Sequence, residues 1–176
     1  MILGIDPSLS ATGIAALDGK VQLSTIRSTP GEPVARLLEI TRQVNAVLDV
    51  ARPVAVGIEG LSFGSKGGKQ AERTGLHYFI RAALHLRNIP YYVVAPASLK
   101  KFIVGSGQTE KCIIVREVYK RWEVEAADDN QADAAGLAYV VAAITGRYEM
   151  TNAAQREVVA KLTAAPVVKV KRRKGE

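Results

Sequence analysis

Four acidic residues occupy positions from which their carboxylates can converge. Asp6 follows the apolar run Met1–Ile5, and Glu59 follows a second apolar run. Both runs are typical of buried strands, and the carboxyl ends of parallel strands meet at one edge of a sheet. Asp129 and Asp133 are four residues apart in a helical pattern, so they share one face of that helix.

Clustered carboxylates repel one another, and they are stable together when a cation lies between them. The chain contains one cysteine and two histidines, so any metal site would be built from oxygen ligands. Oxygen ligands favour a hard divalent cation, Mg²⁺ or Mn²⁺. Two such ions, about 3.5–4 Å apart, stabilise the attacking and leaving oxygens of phosphodiester hydrolysis.

The same acids also have structural interpretations that involve no metal. Asp6 could begin a turn before Pro7, and Asp128 and Asp129 could cap or charge a helix N-terminus.

Basic residues accompany these acids in two glycine-containing stretches of the chain. The first stretch follows Glu59 and the second lies around Gly105–Gly107; the basic residues are Lys66, Lys69, Arg73, Lys100, Lys101 and Lys111. Such cations can contact the phosphates of a nucleic acid. Phe63, in the first stretch, could stack on a base or insert between bases. A solvated surface charge is the alternative for each basic residue, and a packing contact under the loop is the alternative for Phe63.

The charge of the chain also favours a polyanionic partner. The formal net charge is +7, and residues 166–176 hold five of the 24 basic residues together with one acid. A mildly basic body with a strongly basic tail is typical of proteins that bind nucleic acid. A tail that only improves solubility is the alternative. We expect the tail to be disordered.

Hydropathy periodicity predicts the elements that must position the acids. The predicted strands are Met1–Ile5, Thr12–Leu17, Lys20–Arg27, Val54–Ile58 and Pro90–Ala95. The predicted helices are 34–52, Ala71–Arg87, Pro96–Phe102, one that begins near Glu110 with Gln108 or Thr109 as N-cap, Asp128–Ile144 and Thr151–Thr163. Three meander strands followed by alternating helices and strands predict an α/β fold with a five-stranded mixed sheet.

Two helical stripes are expected to face the core of this fold. They comprise Val34, Leu37, Leu38, Thr41, Val44, Val47 and Leu48 in the first helix, and Leu76, Phe79, Ile80, Ala83 and Leu84 in the second. The second helix is apolar enough to offer an interface as well.

Several classes of protein are not favoured by the sequence. It contains no Gly-x-Gly-x-x-Gly or phosphate-loop motif, no run of 18 apolar residues and no signal-peptide pattern. The single Cys112 cannot form an internal disulfide, so we expect a reducing, cytoplasmic environment associated with the nucleoid.

Four segments together resemble the signature blocks of the RuvC-type Holliday junction resolvases, in that family's order and spacing. The segments are Ile2–Pro7, Val56–Glu59, Leu99–Gly107 with Glu110-Lys111, and Gln131–Ala135. The resemblance implies an RNase H-like fold, which we assign to residues 1–150. Residues after Thr151 have no counterpart in the family pattern; the sequence predicts a helical extension over 151–165 and the basic tail over 166–176. The resemblance also implies a homodimer that nicks four-way DNA junctions with Mg²⁺ or Mn²⁺.

The resemblance assigns roles to individual residues. Asp6 and Glu59 match the strand-end metal ligands of the family, and Asp133 matches its last helical carboxylate. Lys100 and Lys111 match basic residues near the scissile phosphate, so Lys111 is expected to act in catalysis.

Three departures from the family pattern are visible. Ser8 replaces a glycine, Phe63 lies one residue later than the family's aromatic, and Asn130 occupies the position three before Asp133 where an acid is common. Asp129 would then be the fourth metal ligand, at a spacing of four. The departures indicate a divergent member from a phage or mobile element.

Two other functions are compatible with the same residues. One is a different RNase H-like nuclease, acting on RNA–DNA hybrids or in RNA processing. The other is a non-catalytic module that binds branched DNA. The lysine-containing block and the glycine-rich loop favour the resolvase, and the intact set of Asp6, Glu59 and Asp133 argues against a non-catalytic module.

Overall fold

The computed structural model describes residues 1–29, 31–61, 69–107 and 110–164, and only the backbone of residues 111 and 112. The strands are β1 (Ile2–Asp6), β2 (Ala11–Asp18), β3 (Lys20–Arg27), β4 (Ala55–Glu59) and β5 (Tyr91–Val94). The helices are α1 (Pro33–Ala51), α2 (Gln70–Leu86), α3 (Pro96–Val104), α4 (Lys111–Trp122), α5 (Asp129–Ile144) and α6 (Ala153–Ala164).

All five strands belong to one sheet in the order β3-β2-β1-β4-β5. β1 pairs antiparallel with β2 and parallel with β4, and β4 pairs parallel with β5. The predicted five-stranded mixed sheet is therefore confirmed. Because β1 and β4 run side by side in the same direction, their carboxyl ends meet at one edge of the sheet.

Helices cover both faces of the sheet. On one face, Leu3, Ile5, Val56 and Ile58 pack with the buried side chains of α1 and α2. On the other face, α5 lies across the central strands, and α3, α4 and α6 pack around it. Alternation of side chains along β1 thus separates two cores, and Asp6 lies on the same face as Gly4, beneath α5.

The inward faces of α1 and α2 differ from the predicted stripes. Val34 and Leu38 are 54% and 55% exposed, and Phe79 is 39% exposed. In α2 the buried positions include His77, which lies next to Leu76 on the inward face. The expectations for Val34, Leu38 and Phe79 are therefore wrong. In α2 the other four predicted positions are buried, but the buried stripe extends towards His77 rather than Phe79, so that a polar ring is buried and an aromatic ring faces outward.

The N-termini of α4 and α5 test the predicted caps. α4 begins at Lys111 with Glu110 as its N-cap, so the predicted cap at Gln108 or Thr109 is wrong. α5 begins as expected, because the side chain of Asp128 accepts a hydrogen bond of 2.9 Å from the backbone N–H of Gln131.

α3 extends to Val104, two residues beyond the predicted end, and stops at Gly105, whose φ is 95°. A left-handed cap of this kind suits glycine. Within the described part of the chain, no helix is both long and apolar enough to span a bilayer.

Candidate active site

Asp6 and Glu59 lie side by side where β1 and β4 end. The parallel register pairs Ile5 with Ile58, so each acid immediately follows a paired residue. Asp6 is only 6% exposed, whereas Glu59 is half-buried. The two carboxyl groups are close enough to share a hydrogen bond. The sequence-based expectation that these two acids meet is therefore borne out by the fold.

The first turns of α5 bring Asp129 and Asp133 to the same place. Both acids line a cavity of about 410 Å³ together with Asp6 and Glu59. Asn130 lines this cavity too. The cavity is thus lined by carboxylates from two strand ends and one helix, parts of the chain that are far apart in sequence.

Burial and crowding of negative charge act together on Asp6. Burial raises the pKa of Asp6 well above its ordinary value, and the charges of Glu59, Asp133 and Asp129 raise this pKa further, in decreasing order. Each neighbouring carboxylate therefore destabilises the ionised form of Asp6. A positive group placed among them would reverse this effect.

The chemistry of these donors fits a hard divalent cation. The cavity offers carboxylate oxygens and the amide oxygen of Asn130, which are ligands typical of Mg²⁺ and Mn²⁺. Over residues 1–29, 31–61, 69–107 and 110–164, no three His, Cys, Asp or Glu side chains are grouped closely enough to form a complete metal site.

Three glycines allow α5 to approach the central strands closely. A Cβ atom on Gly4 would lie 1.9 Å from the carbonyl oxygen of Ala134, and one on Gly13 would lie 2.1 Å from that of Asn130. On Gly57 it would lie 2.7 Å from the carbonyl oxygen of Leu137. Backbone therefore packs on backbone here, and the glycine opposite Asp6 in the β1–β2 register is Gly13.

The turn after Asp6 is held by side-chain hydrogen bonds. Thr12 Oγ1 donates to the carbonyl of Ser8 at 2.8 Å and accepts from the N–H of Ser8 at 3.1 Å. Arg36 donates to the carbonyl of Leu9. Ser8 does not adopt a positive φ, so this turn does not require the glycine that the family pattern places there.

The basic residues predicted to contact phosphate are distributed unevenly around the cavity. Lys100 and Arg73 line it. Lys101 points elsewhere, because its Nζ forms an ion pair of 2.6 Å with Glu157 of α6. Lys69 is exposed at the N-cap of α2.

The side chains of three further residues predicted to contact DNA lie outside the described part of the structure. Phe63 and Lys66 lie outside the described residues. Lys111 is the first residue of α4, but its side chain also falls outside the description.

His77 is a cavity residue that sequence reasoning did not select. It lines the same cavity, is 3% exposed, and places its Nε2 3.1 Å from the carbonyl oxygen of Glu59. Burial lowers the pKa of His77, and the nearby charge of Arg81 lowers it further. Its position four residues after Arg73, on the helix that follows Glu59, was the signal available in the sequence.

A sequence model of the family described as "Crossover junction endodeoxyribonuclease RuvC" matches residues 2–144 of this chain. Proteins with that description from Endomicrobium trichonymphae and Methylobacterium radiotolerans are 30% and 34% identical to it over 149 residues. Each match covers 78% of this chain, and it covers 78% of the first relative and 70% of the second.

Solved structures give the same result for the fold. The Thermus thermophilus RuvC structure matches 95% of this chain and 99% of its own with a TM-score of 0.68, at 20% identity. The T. thermophilus RuvC in complex with a Holliday junction substrate matches 83% of this chain and 94% of its own with a TM-score of 0.67, at 25% identity. The predicted RNase H-like fold is thereby confirmed.

Proposed function

Since the chain belongs to the RuvC family of crossover junction endodeoxyribonucleases, we propose that the carboxylate cavity is its active site and cleaves four-way DNA junctions. The chain is accordingly a structure-specific endodeoxyribonuclease of the type that acts in DNA recombination and repair. One observation carries the assignment of the site. Asp6, Glu59, Asp129 and Asp133 line a single cavity, and their charges raise the pKa of the buried Asp6.

The residues that would hold the metal are Asp6, Glu59, Asp133 and Asp129. Asp6 is the central ligand, because it is the most buried and its ionised form is destabilised by the other three acids. Mg²⁺ or Mn²⁺, bound as two ions, would stabilise the attacking and leaving oxygens of the phosphodiester. Asn130 is a poorer ligand for a hard cation than a carboxylate, so Asp129 supplies the fourth charge.

Positive side chains at the cavity would hold the DNA backbone. Lys100 and Arg73 line the cavity, so each can place a charge beside a phosphate that enters it. Lys111, at the start of α4, is assigned to the scissile phosphate. The role follows from the resemblance of its sequence block to that of the family.

Other predicted DNA contacts lie away from the cavity. Lys69 is exposed and adjoins the segment that contains Phe63 and Lys66, for which we keep the roles of base stacking and phosphate contact. Lys101 would need to exchange its ion pair with Glu157 for a phosphate. We therefore rank Lys101 as the weakest contact of this set.

A four-way junction has two strands to cut, and we expect two copies of this chain to bind it. The exposed side chains Tyr78, Phe79 and Leu86 give α2 an apolar outer face that a second copy can cover.

Residues 1–150 are assigned to the nuclease domain and 151–165 to a helical extension. Val158 and Val159 of α6 pack into the core beside α5. The basic tail, 166–176, is assigned to sequence-independent DNA binding.

The decisive experiment compares three substrates in Mg²⁺: a synthetic four-way junction, a linear duplex and an RNA–DNA hybrid. We expect nicking of the junction, little cleavage of the duplex and the hybrid, and loss of nicking in EDTA. Asp6→Asn keeps the size of the side chain and removes its charge. Junction binding measured in Ca²⁺ should survive this change, while cleavage should fall by more than about 100-fold.

Three results would contradict the proposal. Near-normal nicking by Asp6→Asn would show that the cavity is not the active site. Preferential cleavage of the hybrid would identify a different RNase H-like nuclease. Junction binding without cleavage in Mg²⁺ or Mn²⁺ would identify a non-catalytic module.

A further inference from the structure

The peptide group between Glu59 and Gly60 is held on both sides. Its N–H, which belongs to Gly60, donates a hydrogen bond of 2.8 Å to the carbonyl of Val94 in β5. Its carbonyl, which belongs to Glu59, lies 3.1 Å from Nε2 of His77 in α2. Since a carbonyl can only accept, Nε2 carries the proton and donates it.

The β1 strand cannot supply this donor. The two polar atoms of a trans peptide point to opposite sides of a strand, so the Glu59 carbonyl points away from β5 and towards β1. If the parallel pairing of Ile5 with Ile58 continued, the next N–H to reach this carbonyl would be that of residue 7. Residue 7 is Pro7, which has no N–H. His77 therefore replaces a missing ladder hydrogen bond at the point where β4 ends.

Packing alone does not account for an imidazole at this position. His77 is the only polar side chain among the five buried residues of α2; the others are Leu76, Ile80, Ala83 and Leu84. Its Nδ1 is also buried and has no hydrogen-bond partner within the described residues. A buried ring with one nitrogen unsatisfied is unfavourable compared with an aliphatic side chain of similar size.

We infer that His77 is a positioning residue of the nuclease site, which fixes the Glu59–Gly60 peptide and thereby the direction of the Glu59 carboxylate. The inference rests on the proposed function, in which Glu59 is a metal ligand. The hydrogen bond acts where the chain leaves β4 and where the carboxylate has to meet Asp6. A shift of about 1 Å in a catalytic group can reduce the rate by about 100-fold.

The test uses two substitutions that differ in one property. His77→Gln places an amide N–H at the same number of bonds from Cα as Nε2, so it can donate to the Glu59 carbonyl. His77→Leu fills the space without a donor. His85→Leu is the matched control, because His85 belongs to the same helix and is exposed.

We expect His77→Leu to lower the single-turnover cleavage rate of a four-way junction by about 10 to 100-fold, with junction affinity in Ca²⁺ unchanged. Its activity should need a higher Mg²⁺ concentration for half-saturation. His77→Gln should stay within about threefold of the original rate, and His85→Leu should not change it. Amide exchange at Gly60 should be faster in His77→Leu, while exchange in α5 stays the same.

The outcomes separate the positioning role from a structural one. Equal losses in the Gln and Leu variants, or an unchanged rate in both, would overturn the inference. If His77→Leu does not fold, His77→Met carries the same expectation, because a flexible thioether fills irregular space; failure of both to fold would also overturn it. Failure of the proposed function has a different signature, since the unmodified protein would then not cleave the junction.

Discussion

The two faces of β1 are packed in different ways. On one face, Leu3 and Ile5 are fully buried among the aliphatic side chains of α1 and α2. On the other face, Gly4 leaves room for the backbone of α5, with 1.9 Å between an added Cβ and the carbonyl of Ala134. The middle of β1 thus packs through side chains on the first face, whereas on the second face it meets the backbone of α5 at Gly4, within a core that also contains Ile2.

This difference explains where the site is. Side chains between α5 and the sheet would hold the helix farther from the strands, as the residues of the opposite face do for α1 and α2. Because Gly4, Gly13 and Gly57 have no side chain, α5 approaches the strands closely there, and Asp129 and Asp133 line the same cavity as Asp6. The side-chain core should tolerate small changes of volume, and the backbone contact should not.

Of the substitutions that test the difference between the two faces of β1, Gly4→Ala should have the largest effect. A methyl group in Gly4→Ala collides with backbone that cannot rotate away, so α5 has to shift along its length. We expect the free energy of unfolding to fall by about 3 kcal/mol or more, with cleavage lost. Ile5→Val, on the opposite face of the same strand, should cost only about 1 kcal/mol. Denaturant unfolding of both variants measures the difference, and equal losses would contradict the two-face description.

Substitutions of Asp129 and of its neighbour Asp128 test which side chain of the first turn of α5 faces the cavity. Asp129→Asn removes a charge that lines the cavity, and we expect cleavage to fall by more than about 100-fold while junction binding in Ca²⁺ persists. Asp128→Asn should leave cleavage intact, because asparagine is as good an N-cap as aspartate. Asn130→Asp should partly rescue Asp129→Asn, since it returns a carboxylate to the same side. An inactive Asp128→Asn together with an active Asp129→Asn would mean that the fourth ligand is assigned wrongly.

Gly13→Ala should separate activity from stability. An added Cβ on Gly13 would lie 2.1 Å from the carbonyl of Asn130, so it moves the end of α5 that carries the acids. We expect a loss of about 10 to 100-fold in cleavage rate. The free energy of unfolding should change less than in Gly4→Ala, because the disturbance lies in the terminal turn of the helix. A variant with the original rate would show that the terminal turn can move without effect on the site.

The smallest expected effect is the change in melting temperature caused by Asp6→Asn in the absence of metal. Because the pKa of Asp6 is raised, its ionised form destabilises the fold, and this destabilisation grows as the pH rises from the ordinary range of an aspartate through the raised pKa. Asp6→Asn should therefore have a higher melting temperature than the unmodified chain at neutral pH in EDTA, with the difference vanishing in acid. Added Mg²⁺ should narrow the difference.

Asp18 provides the control for that measurement, because it is 70% exposed and far from the cavity acids along β2. Asp18→Asn should show no such gain in melting temperature. A less stable Asp6→Asn at neutral pH would indicate that the carboxylate makes favourable contacts in the metal-free protein.

Much of the fold and part of the site followed from local patterns. Apolar runs ending in Asp6 and Glu59 predicted two strands with acids at their ends. Periodicity predicted the helix that begins near Asp128, with capping as one of two interpretations of that residue. These features depend on hydropathy, turn chemistry and capping within a few residues, so they can be read from a linear sequence.

Other features depend on which elements meet in space. The exposure of Phe79, the burial of His77 and the ion pair of Lys101 with Glu157 are set by how α2 and α3 pack against the rest of the chain. The hydrogen bond from His77 arises because Pro7, seventy residues earlier in the chain, cannot donate to the Glu59 carbonyl. The amino-acid sequence by itself determined the elements and the acids at their ends. Tertiary structure decided how closely α5 approaches the strands and which polar groups are left to pair, because backbone packing and long-range hydrogen bonds leave little trace in the local sequence.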